Sequence, residues 1–158
     1  MTGLLITFEG IDGCGKSTQA SLLLEHFLKL GHKTKLYREP GGTRIGEEIR
    51  SLLLNPSFME MTPHTELFLY LAARSQITGE IIAPSVEHGY HIILDRFIDS
   101  TVVYQGYARG LGMESMIKLN AIATDGLLPD ITFLVDIDPT IALKRINRAH
   151  DRMESEGV

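Results

Sequence analysis

Gly10-Ile11-Asp12-Gly13-Cys14-Gly15-Lys16-Ser17 satisfies the phosphate-loop pattern G-x-x-x-x-G-K-[ST] at every fixed position. The glycines let the backbone curl so that successive N–H groups face inward at a phosphate chain. Lys16 places a cation on the outer phosphates, and the Ser17 hydroxyl can ligate the Mg2+ that travels with ATP or GTP. A helix starting near Lys16 aims its positive dipole end at the same anion. Gly10 through Thr18 is therefore the expected nucleotide-binding segment. Composition alone would produce such a match in a chain of this size about once in 200. The flanks fit as well. Leu4 to Phe8 is an apolar, buried-type strand, and Thr18 to Leu30 reads as a helix stopped by Gly31.

The chain has 158 residues, 44% apolar and 22% charged, which suits one domain with a sizeable core. A net charge of −5 argues against a nucleic-acid partner. No run of 18 apolar residues exists, so no membrane span is expected. The N-terminus enters a strand at once, so no signal peptide is expected. The single cysteine, Cys14, excludes an internal disulfide and reads as a neutral filler of a free loop position. A cytoplasmic setting follows as the default. Six histidines show no ligand spacing, and no protein-only metal site is expected.

Strand and helix signals alternate along the rest. Thr34–Tyr37 reads as a second strand, and a helix covers Ile45–Leu54. Thr62-Pro63 starts another helix, Thr as cap and Pro at its first position, with helical signal up to Glu87. Tyr90–Leu94 is a third strand ending in Asp95-Arg96. Ser100–Tyr107 and Met113–Thr124 read as helices, Ile131–Ile137 as a fourth strand, and Pro139 to about His150 as a last helix. This alternation implies an α/β/α three-layer fold on a parallel sheet. Ligands then bind beyond the carboxyl ends of the strands, where the phosphate loop, Glu39-Pro40 and Asp95-Arg96 all fall.

Asp95, ending an apolar strand, is placed to steady Mg2+ together with Ser17, and Arg96 at a strand mouth needs an anion. Tyr70 and Arg74, four residues apart, share one helix face. They could stack on a base and bond its carbonyl, although such a pair alone is more often core plus a solvated rim. Phe68 is a rival for the stacking role. The cation-rich stretch from Lys144 to Arg152 could be a solvated helix face or a mobile source of positive charge.

Together these pieces resemble thymidylate kinase, a phosphate-loop nucleoside monophosphate kinase. The matching segments are Phe8 to Thr18, Arg38-Glu-Pro-Gly-Gly-Thr43, and Asp95-Arg-Phe-Ile-Asp-Ser-Thr-Val-Val-Tyr-Gln-Gly106. Pro129-Asp130 and Asp151-Arg152-Met-Glu154 also fit. The resemblance implies transfer of the γ-phosphoryl group of ATP to dTMP, giving dTDP and ADP. It implies that Lys16 and Ser17 hold ATP phosphates and Mg2+, and that Asp12 faces the acceptor. Arg96 and Arg50 would clamp the dTMP phosphate beside the Glu39-Pro40 loop. Tyr70 would stack on thymine and Arg74 bond its carbonyl. Ser100, Thr101 and Gln105 would line the base pocket, and Tyr104 would crowd the sugar 2′ position.

A lid over about 141–156 would bring Arg148 and Arg152. Some family members carry an arginine inside the phosphate loop; here that position is Gly13, which shifts the burden to lid arginines. The resemblance further implies a homodimer, and a fifth strand and more helix than the four strands present here, so a longer chain is expected. Two alternatives stand beside the kinase: a catalytically impaired nucleotide-binding fragment, and a kinase for another nucleoside monophosphate.

Overall fold

The structure, a computed structural model, describes residues 2–146 and Arg152. The elements run β1 Leu5–Glu9, α1 Lys16–Lys29, β2 Thr34–Arg38, α2 Arg44–Leu54, α3 Pro63–Ile77, α4 Ala83–Glu87, β3 His91–Asp95, α5 Ile98–Thr101, α6 Met113–Ala123, β4 Ile131–Leu134 and α7 Pro139–Arg145. Every strand pair is parallel, in the order β2-β3-β1-β4. The α/β sandwich on a parallel sheet is thus as the sequence pattern implies.

All five residues of β1 are buried, which is why its sequence is apolar without alternation. Alternate side chains feed two cores, one on each face of the sheet. Leu5, Ile92 and Leu94 pack with Ile77, Ile82 and Phe97 on one face; Ile6, Phe8 and Ile93 pack with Ala20 of α1 on the other. Each leucine, isoleucine and phenylalanine side chain among them contributes about 1.5–3 kcal/mol by burial. Truncating fully buried Ile93 to alanine would cost about 2–5 kcal/mol.

Thr62 caps α3 by accepting the Thr65 N–H, and Thr43 caps α2 by accepting that of Gly46. Two stretches expected as plain α-helix differ. Thr78–Ile82 and Val102–Ala108 are π-helical. The second includes Gly106, where a Cβ would meet Met116 Cγ at 2.9 Å and Met113 Cα at 3.1 Å, so α6 packs directly on its backbone. β4 ends at Leu134, three residues earlier than expected, and lies at the sheet edge with Leu134 73% exposed. No helix among the described residues is long and apolar enough to cross a membrane.

The carboxyl ends of β1, β3 and β2 converge. The Arg96 N–H donates to Phe8 O at 3.0 Å and the Glu39 N–H to Asp95 O at 3.0 Å. This convergence gathers the phosphate loop, Asp95-Arg96 and Glu39 at one rim.

Candidate active site

The phosphate loop turns through Gly10, Gly13 and Gly15, at φ 142°, 77° and 103°. The first two also sit against foreign backbone. A Cβ on Gly10 would lie 2.6 Å from Val135 O, and one on Gly13 would lie 2.3 Å from Ala142 O. Glycine is required at both for space as well as for φ. No side chain caps the N-terminus of α1, so its first amides face the loop. The loop floors a cleft of about 600 Å³ whose walls include Asp12, Lys16, Ser17, Thr18, Arg145 and Ile146. Cys14 is buried and fills space, as its free position suggests.

Lys16 is buried and folds back on its own loop, its ammonium donating to Ile11 O at 2.8 Å. Burial pushes it below the ordinary lysine value, and repulsion from Arg96 adds to this. Asp12 sits between the two cations. Its Oδ1 is 3.6 Å from Lys16 Nζ and 2.6 Å from the Arg96 guanidinium. Ser17 donates its hydroxyl hydrogen to Asp95 Oδ2. Two oxygen donors from the loop and from the end of β3 thus meet, a set suited to a hard cation such as Mg2+.

Arg96 takes φ 72°, unusual for a residue with a side chain. It donates to Asp12 and, at 3.0 Å, to Ser100 Oγ, and its guanidinium lies 5.3 Å from the Tyr104 ring centroid. Burial opposes its charge, but Tyr104, Asp12 and Glu9 outweigh this and hold it above the ordinary arginine range. Arg50 donates to Pro40 O at 2.8 Å, fixing the loop after β2, where the Glu39–Pro40 peptide is cis.

Arg74 is 2% exposed. Its Nε–H bonds Glu39 at 2.7 Å, Nη1 serves Thr101 Oγ1 and Asn120 Oδ1, and Nη2 reaches Phe97 O. Four of its five N–H groups are therefore engaged inside the protein. Burial pushes the Glu39 carboxyl above the usual carboxylate range in spite of Arg74. Its Oε1 is buried without a hydrogen-bond partner among the described residues. Tyr70 is half-buried one turn before Arg74, while its rival Phe68 is 59% exposed.

Gln105 and Arg152 converge on a residue that the sequence pattern did not single out. Glu66, on the first turn of α3 and fully buried, accepts from Gln105 at 2.8 Å, Arg109 at 2.9 Å and Arg152 at 2.6 Å. Burial would raise its carboxyl, yet these donors hold it below the usual range. Arg152, expected as a lid arginine, is here fully buried between Glu66 and the Leu53 carbonyl of α2. Arg148 lies outside the described residues, as does most of 141–156. Glu9 and Asn120 were missed too. Glu9 carried a signal, an acid closing an apolar strand beside the loop; Asn120 looked like any polar residue of a helix.

A profile of the thymidylate kinase family matches residues 8–157. The chain is 52% identical over 157 residues to the thymidylate kinase of Caldanaerobacter subterraneus subsp. tengcongensis, covering 99% of this chain and 75% of that one. It is 50% identical to that of Thermoanaerobacter sp. strain X514, covering 99% and 77%. The crystal structure of thymidylate kinase from Ehrlichia chaffeensis superposes with TM-score 0.82 at 39% identity, over 92% of this chain and 82% of that one. The chain belongs to the thymidylate kinase family.

Proposed function

We infer that the chain is an ATP-dependent dTMP kinase that moves the γ-phosphoryl group of ATP to dTMP and releases dTDP and ADP. One observation carries this reading. Lys16 of the phosphate loop and Arg96 of the β3 rim, 80 positions apart in sequence, approach the same Asp12 oxygen. A donor-phosphate cation and an acceptor-phosphate cation thus share one small space.

The chemistry requires little more than placement. The second ionisation of a phosphate monoester lies near pH 6, so the acceptor oxygen is already a nucleophile at about pH 7. That oxygen bonds to the γ-phosphorus as the bond to the β–γ bridging oxygen breaks, and ADP leaves with that electron pair. No general base is needed; cations and alignment carry the rate.

Lys16 exchanges Ile11 O for phosphate oxygens, and the loop amides of Gly10–Thr18 cradle the donor chain. Ser17 and Asp95 would hold Mg2+, which when bound neutralises charge on the donor phosphates. Arg96 and Arg50 orient the acceptor phosphate, and Asp12 faces the acceptor. Tyr70 stacks on the base, and the fifth N–H of Arg74 remains for its carbonyl. Ser100 and Tyr104 frame the sugar side, and Thr101 and Gln105 back the base through Arg74 and Glu66. For Arg152 to act on the reacting phosphates it must exchange Glu66 for them.

One phosphotransferase domain with its lid over about 141–156, working as a homodimer in the cytoplasm, completes the proposal. Exposed Ile45, Leu52 and Phe68 on α2 and α3 suit an apolar dimer face. Light scattering that gives the monomer mass would remove the dimer. ADP release coupled to dTMP, against dUMP, CMP and GMP, tests the reaction. Preference for another monophosphate would replace dTMP as acceptor, and dTMP binding without turnover would leave a nucleotide-binding fragment.

A further inference from the structure

We propose that Glu9 is a positioning residue for the acceptor phosphate, acting through Ser100 to hold one edge of the Arg96 guanidinium fixed while the other edge changes partner. The proposal rests on the reading of Arg96 as the acceptor clamp.

Glu9 closes β1 and is 4% exposed. Its Oε1 accepts the Phe97 N–H at 2.7 Å, and its Oε2 accepts the Ser100 hydroxyl at 2.7 Å. Ser100 Oγ in turn accepts from Arg96 Nη1 at 3.0 Å. The order of donors matters. An ionised carboxylate only accepts. It therefore draws the single Ser100 hydrogen toward itself and leaves the serine lone pairs turned to Arg96. Without an acceptor-only partner, the hydroxyl could rotate its hydrogen toward the guanidinium, which has nothing to accept it with.

The same carboxylate also steadies the backbone. Arg96 sits at φ 72°, and Glu9 pins the amide of the next residue, Phe97. A left-handed residue that bears a side chain persists only where its surroundings hold it. Glu9 thus controls Arg96 from two sides, by the peptide that follows it and by the hydroxyl on its Nη1.

The far edge of Arg96 behaves differently. Its Nη2 partner is Asp12, 40% exposed at its side chain, within the loop itself. A phosphate entering the rim can take that place, since it too offers anionic oxygens. The Nη1 edge has no such exchange, because Ser100 is locked by a buried carboxylate. One edge anchored and one exchangeable is the arrangement that orients an incoming phosphate without first having to order the arginine.

A rival account makes Glu9 a plain structural carboxylate that satisfies a buried amide. Steady-state kinetics on Glu9→Gln, Ser100→Ala and the double variant separate the two. A glutamine can accept one bond but must donate at the other position, which inverts the Ser100 hydroxyl. Expected is a rise in KM for dTMP of roughly tenfold or more, the scale of a hydrogen bond to a charged group, with KM for ATP within about twofold, well inside what one such bond is worth. Ser100→Ala keeps the Phe97 bond and should raise KM for dTMP in the same direction. The double variant should be no worse than the poorer single, because both break one relay.

Equal losses for dTMP and ATP, or strictly additive effects, would overturn the relay. Should Glu9→Gln not fold, an unchanged dTMP KM in Ser100→Ala would be enough to reject it. Arg96→Ala keeps the two hypotheses apart. An Arg96→Ala enzyme with normal dTMP KM removes the acceptor-clamp reading itself; one that loses dTMP while both relay variants stay normal removes only the role of Glu9.

Discussion

The two halves of the proposed site are built in opposite ways. The proposed donor half is a single run, Gly10 to Thr18, which offers largely backbone amides and one helix end. The acceptor half is assembled from side chains on β1, the loop after β2, α3, the β3 rim and α6, and its cations already have protein partners. Lys16 leans on a carbonyl of its own loop, whereas Arg74 is bound to four residues from three separate segments. A contiguous loop can lose a group without losing the fold. A distributed network of buried charge cannot, because each missing partner strands another charge away from water.

That contrast is open to direct attack. Lys16→Ala should lower dTMP-dependent ADP release by about 1,000-fold, the scale for one preorganised charge at a reacting centre, with the unfolding midpoint nearly unchanged. A large fall in thermal stability would erase the distinction between the halves. Arg74→Ala should do the reverse and destabilise the fold by about 3–5 kcal/mol, since Glu39 is left buried and unpaired. Its surviving fraction should discriminate poorly between dTMP and dUMP; urea denaturation and substrate competition read the two effects separately.

Glu66→Gln should cost about 2 kcal/mol, because a carboxamide cannot accept from Gln105, Arg109 and Arg152 together. Glu66 also has a pH signature. Its folded carboxyl lies below the ordinary 4.5, so its contribution is full above that value and fades as the pH falls below it. Stability curves in acid should be flatter for Glu66→Gln than for the unaltered chain.

The smallest effect belongs at the opposite end of the sheet. His91 accepts the Leu4 N–H on Nδ1 at 3.0 Å, and burial, with His32 nearby, holds it below the ordinary 6.5. The fold favours its neutral form, so this contribution is complete above pH 6.5 and declines as the pH drops below it. His91→Asn retains an acceptor and should remove that decline in denaturant midpoints between pH 7 and 5.5, a span set by the histidine range. An unchanged decline would assign it to other groups.

The same contrast explains what could be read from the residues alone. The strand, loop and helix around Lys16 are neighbours in sequence, so periodicity and turn chemistry reveal them together. The Thr62-Pro63 helix start is local in the same way. The spacing of Tyr70 and Arg74 is local and readable, whereas the protein partners of Arg74, Glu39, Thr101 and Asn120, lie 35, 27 and 46 positions distant. Glu66 stands in the first turn of α3, and only packing turns it into the meeting point of two arginines. The π-helical stretches carry the same residue types as α-helix. In the second stretch Gly106 lets α6 approach its backbone, a tertiary contact that no local repeat in the chain announces.

Gly13 has a mechanical consequence. With Ala142 O where a Cβ would stand, and Val135 O in the same relation to Gly10, the loop is wedged beneath the segment that leaves β4 and begins α7. An arginine grafted at position 13 would have to lever α7 away before its charge reached any phosphate. The loop and the foot of α7 are thus one packed unit, and α7 cannot close on Gly13 any further or tilt toward it without displacing the phosphate loop itself.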